Sequence, residues 1–198
     1  MAAVDGRREN AAMDDLARRA FIKGASIGAL AFSVGGAEVL LTPRQARAQG
    51  VAFKALTADE AQTLEAVGDT LALGAREAGI AHFVDQQLTQ PPPLALLSVR
   101  VNEVRPPYVN FYRGALGAID AAAKAADGRR FADLDEDARI KFVRALSRRE
   151  LKSWDGPAQG LVYASLRNDA VDVVYGTVDG FARVGVPYLP HIVPERSW

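Results

Sequence analysis

A mainly α fold is expected for this chain: a small irregular helical bundle with a proline-rich extended tail at the C-terminus. Three features of the 198 residues point there. From Thr57 to Gly176 apolar residues recur three and four apart, which places them on one side of successive helices. Glycine and proline fall between those runs, where they end helices. Beyond residue 50 no stretch alternates strictly between apolar and polar over five or more residues, as a half-buried strand would.

The elements follow in order. Residues 1–48 have the layout of an export signal, with residues 49–198 forming one helical domain. A basic start runs through Arg7, Arg8, Arg18, Arg19 and Lys23. An uncharged, Gly/Ala/Ser-rich stretch from Gly24 to Ala37 follows. It is too short and too weakly apolar to anchor a chain, since a spanning helix needs about 20 apolar residues. Ala46-Arg47-Ala48 is a small-residue cleavage pattern, with the cut expected after Ala48. Within this segment Arg18-Arg19, Phe21 and Lys23 resemble the twin-arginine signal, a receptor-read address. That resemblance implies export of an already folded protein to the periplasm or the periplasmic face of the inner membrane.

Thr57-Ala58-Asp59-Glu60 is a capping box, so a helix starts there, with Ala61, Leu64, Val67, Gly68 and Leu71 on its buried side. Gly74 should end it. Ile80, Phe83, Val84 and Leu88 predict a short second helix, which Pro91-Pro92-Pro93 stops. Leu94 to Val104 reads as a further helix closed by Pro106-Pro107. Tyr108, Phe111, Tyr112, Ala115, Leu116 and Ile119 form the broadest apolar stripe, ending at Asp127-Gly128. Asp133 or Asp135 should cap the next helix, with Ile140, Phe142, Val143 and Leu146 inward and Arg148 and Arg149 at its negative end. Pro157 is placed to open the last long helix, behind a Ser153 or Asp155 cap. Leu161, Val162, Leu166, Ala170 and Val173 line it and Gly176 closes it. From Val186 to Pro194 the chain is apolar but carries Pro187, Pro190 and Pro194, which bar both helix and central strand. Such a tail either wraps its own core or docks on a partner.

Composition narrows the chemistry. The chain has no cysteine and two histidines, so disulfides, thiolate zinc sites, cysteine-held iron–sulfur clusters and three-histidine zinc sites are excluded. The formal net charge is zero, against the basic excess that a nucleic-acid binder needs. Beyond residue 48 the chain keeps 17 basic and 19 acidic residues. His82 and His191 could form a haem or metal site, although a histidine beside Phe83 more often serves structure. Ser153 or Ser165 could belong to a hydrolase, but neither sits in a nucleophile-elbow pattern. Asp133, Asp135, Glu136 and Asp137 suit a helix N-terminus. Asp169, Asp172 and Asp179 could meet around a cation, without calcium-loop spacing.

Four segments, in order, resemble the gluconate 2-dehydrogenase subunit 3 family. They are Leu56-Thr57-Ala58-Asp59-Glu60-Ala61, Gly74-Ala75-Arg76-Glu77-Ala78-Gly79-Ile80 with Phe83-Val84-Asp85, Phe111 to Asp120, and Asp169 to Thr177 leading into Gly185-Val186-Pro187-Tyr188. Two departures stand out: Leu71-Ala72-Leu73 runs straight into Gly74, and Tyr175-Gly176-Thr177 replaces a Tyr-Gly-Gly step. The resemblance implies a small subunit with no catalytic residues, metal or cofactor of its own. It implies a large flavoprotein partner of the glucose–methanol–choline type that carries FAD, in places a cytochrome c subunit, and a signal read by the twin-arginine translocase for the pair. The expected partner contacts are Tyr175, Gly176, Thr177, Pro187, Tyr188 and His191.

Overall fold

A computed structural model of the chain describes residues 28–187. Strands β1 (Leu30–Val34) and β2 (Ala37–Leu41) come first. Among the described residues nine α-helices follow: α1 (Pro43–Ala48), α2 (Ala58–Leu71), α3 (Ala75–Ala78), α4 (Ile80–Leu88), α5 (Ser98–Val101), α6 (Tyr108–Asp127), α7 (Glu136–Arg148), α8 (Gln159–Tyr175) and α9 (Val178–Arg183). The expected mainly helical bundle is present. The tail beyond Pro187 lies outside the described residues.

Helix α2 is the central post, packed against α4, α6, α7 and α8. Its start follows from the capping box. The Glu60 N–H donates to Thr57 Oγ1 at 3.2 Å, and the Thr57 N–H donates to Glu60 Oε2 at 2.7 Å. Leu64, Ala66 and Val67 are buried against Ile80 and Val84 of α4, Tyr112, Leu116 and Ile119 of α6, Leu146 of α7 and Leu166 of α8, all in one core. Asp85 of α4 fixes how the chain enters α2. Its carboxylate accepts the backbone N–H groups of Lys54, Ala55 and Leu56 at 2.8–3.0 Å. Asp120 ties α6 to the following turn, accepting from Arg130 Nε at 2.9 Å and from the Phe131 N–H at 3.1 Å.

Three expectations are corrected. Leu94 to Val104 holds only the single turn α5 and a 3-10 turn at Pro92–Leu94, because Leu94, Leu96 and Val101 point outward and give no stripe to bury. Helix α8 begins at Gln159, not Pro157, and has neither a Ser153 nor an Asp155 cap. The Gln159 side chain instead pairs with both backbone groups of Leu151, at 3.2 and 2.9 Å. Ile140 faces outward. Helix α9, capped by Thr177, lies between Gly176 and the tail. Asp135 is the cap of α7, accepting the Ala138 N–H at 2.9 Å.

The largest difference concerns residues 30–48, expected to lie outside the fold as part of an export signal. Strands β1 and β2 pair antiparallel, with Leu30 opposite Leu41 and Val34 opposite Ala37. Gly35 and Gly36 turn between them with φ of 59° and 86°, as a two-residue hairpin turn requires. Helix α1 carries its own capping box from Thr42 and Gln45. Phe32, Leu41, Ala46 and Val51 form a second small core. Helix α1 packs on α3 and α4, and β1 on α4. Gly79 makes the close approach possible: a Cβ there would lie 2.2 Å from the Pro43 carbonyl oxygen, and its φ of 86° suits glycine alone.

Candidate partner-binding site

A groove of about 590 Å³ opens between the hairpin side of the molecule and the end of α8. Helix α8 stops because Gly176 takes the C-cap, with its N–H donating to the Asp172 carbonyl at 2.9 Å. Thr177 then caps α9, its hydroxyl accepting the Gly180 N–H at 3.0 Å. Gly176, Thr177 and Val178 therefore present one wall of the groove. The opposite wall comes from Leu30, Thr42, Pro43 and Arg44, and Phe83 of α4 contributes to the lining. The lining is mainly apolar, with Arg44 and Arg183 as cations and Asp172 and Asp179 as anions.

The groove brings together part of the expected contact set. Gly176 and Thr177 line it. Tyr175 is exposed at the end of α8, and Pro187 is exposed at the end of the described chain. Tyr188 and His191 lie outside the described residues, as do the signal residues Arg18, Arg19, Phe21 and Lys23. Of the cleavage pair, Ala46 is fully buried in α1, whereas Ala48 is exposed at its last turn.

Asp169, Ser165 and His82 are engaged in the fold. Asp169 is fully buried and accepts from the Tyr112 hydroxyl at 2.5 Å and from the Ser98 N–H at 3.1 Å. Burial pushes its carboxyl up to about 6, and the bonds from Tyr112 and Ser98 hold it from going higher. Burial first, and the Asp169 charge second, raise the Tyr112 hydroxyl well above its ordinary range. Ser165 is buried below, receiving a 3.3 Å bond from the Asn102 side chain. His82 Nε2 lies 3.0 Å from the Val51 carbonyl, with the ring tilted on Phe53 at 4.6 Å. Burial lowers the pKa of that imidazole, opposed by the Val51 bond and by Glu65 and Asp85. His82 thus serves the junction of α4 with the loop after α1. Asp169, Asp172 and Asp179 do not converge on a cation: among the described residues no group of three His, Asp or Glu is placed to hold a metal. No described helix is long and apolar enough to cross a membrane.

Sequence reasoning missed the wall formed by residues 30–44. Its signals were present. Gly35-Gly36 between two five-residue apolar runs is a hairpin pattern, and Thr42-Pro43-Arg44-Gln45 is a capping box with proline at the first helical position. They were hidden because the same residues also satisfy the composition of a signal's apolar stretch.

Comparison with curated proteins and with solved structures finds no match in either. Comparison with protein families gives one over residues 58–190, from the second residue of the α2 capping box past the groove wall at Gly176 and Thr177. The match takes in α2 through α9, and so all of the helical core. On that match the chain belongs to the gluconate 2-dehydrogenase subunit 3 family, the small subunits of a dehydrogenase complex.

Proposed function

We propose that the chain is the non-catalytic small subunit of an exported flavin-dependent dehydrogenase of the sugar, sugar-acid or alcohol type. Family membership over residues 58–190 carries this reading. In it, the large subunit binds FAD and performs the oxidation, and in some assemblies a cytochrome c subunit takes the electrons onward. The small subunit stabilises the flavoprotein and supplies the twin-arginine address for both. The groove beside Gly176 and Thr177 is the surface offered to the large subunit. Its apolar lining and mixed rim charge are the composition of a protein-binding patch.

The carrier role has a direct test. The chain is co-expressed with a large subunit of the flavoprotein class, and flavin-dependent dehydrogenase activity is measured in periplasmic and cytoplasmic fractions. Replacing Arg18→Lys together with Arg19→Lys should move most of that activity to the cytoplasm. Unchanged periplasmic activity would sink the carrier role. Purified alone, the chain should show neither a flavin spectrum nor a Soret band, and turnover by the isolated chain would overturn the non-catalytic assignment.

A further inference from the structure

We infer that residues 29–48 stay attached to the working protein as one wall of the groove, and that maturation does not cut after Ala48. The small-residue pattern Ala46-Arg47-Ala48 reads as a cleavage site only while the chain there is extended and accessible. In the fold it is helical rather than extended, and although Ala48 is exposed, the Ala46 side chain is out of reach. All three residues belong to α1, and Ala46 is completely buried.

A cut after Ala48 would strip Phe32, Leu41 and Ala46 from the second core and leave Val51 alone. It would remove the Ala46 carbonyl that accepts the Val51 N–H at 3.0 Å. It would break the 3.2 Å pair between Arg47 and Glu65, whose carboxylate is mostly buried on α2. Gly79 would lose the Pro43 carbonyl against which its missing side chain is fitted. The groove would lose Leu30, Thr42, Pro43 and Arg44 together, and with them one of its walls. No loosely attached leader has reason to hold a capping box, a hairpin register and a buried methyl group matched to the domain beneath it.

Retention rests on this packing alone. Only the consequence for partner binding rests on the role proposed for the groove. Two measurements test it. The small subunit is purified from the periplasmic fraction as part of its complex, and its N-terminus is read by intact mass and N-terminal sequencing. A chain beginning at or before Ala29 is expected, and one beginning at Gln49 overturns the inference. In parallel, Ala46→Lys and Ala48→Lys are made in the full chain and melted by circular dichroism. Ala46→Lys buries a charge and should lower the midpoint by about 5 °C or more, or prevent folding, while exposed Ala48→Lys shifts it by less than about 2 °C. Equal midpoints for Ala46→Lys and the parent chain overturn retention. If no chain reaches the periplasm, the export role falls, and the melting pair still decides whether residues 29–48 belong to the fold.

Discussion

Asp169 joins α8 to α6 and to the start of α5. It is fully buried on α8 with one hydroxyl and one backbone N–H aimed at it, and burial dominates its ionisation. Its folded-state pKa of about 6 lies above the ordinary 3.8. Between those values the folded chain holds a proton that the unfolded chain has released. The stability tied to that proton is therefore fully present below pH 3.8 and is lost as pH rises to about 6. Asp169→Asn, which cannot ionise, should gain on the parent chain across that interval. Thermal midpoints measured from pH 4 to pH 7 should show the gap moving in favour of the variant as pH rises, and parallel profiles would contradict the assignment. The residue was visible in the sequence only as one of three aspartates near Tyr175. What makes it different, the hydroxyl of Tyr112 from another helix, is a contact across 57 positions that no local pattern encodes.

At the scale of elements, local chemistry and tertiary burial divide the outcome. Thr57 satisfies its helix end by itself, so Thr57→Ala should cost about 1 kcal/mol in denaturant unfolding, with the slope of the transition unchanged. A loss under about 0.3 kcal/mol would mean the capping box is redundant with packing. Helices α2, α4, α6 and α7 were legible for the same reason: each has a cap or a stop and a face broad enough to read. The segment from Leu94 to Val104 was not, because apolar content alone says nothing of direction, and Leu94, Leu96 and Val101 turn outward. Helix α8 was legible in its body and not at its start, where Ala158 offers no side-chain cap and the Gln159 side chain is spent on the backbone of Leu151. The hairpin was obscured by competition between two uses of the same composition. A Gly/Ala-rich apolar run serves a leader and a glycine-turned ribbon equally well, and only the surface of α4 beneath β1 decides between them.

For the whole molecule, the role proposed for the groove makes one demand. Val178 sits on its wall and is 47% exposed, so a charge there hardly disturbs the core but meets whatever apolar segment enters. Val178→Glu should weaken capture of the large subunit by about tenfold or more in a pull-down titration, with a melting midpoint within about 2 °C of the parent. Undiminished capture would place the contact elsewhere. The described chain starts at Gly28, which lines the groove, and ends at Pro187, four residues beyond Arg183, which lines it too. Four residues span at most about 14 Å. Gly28 and Pro187 therefore both lie close to the groove. A bulky label attached at Gly28 or Arg183 would crowd that face. A probe meant to watch the complex form without obstructing it belongs on an internal exposed turn such as Lys152-Ser153.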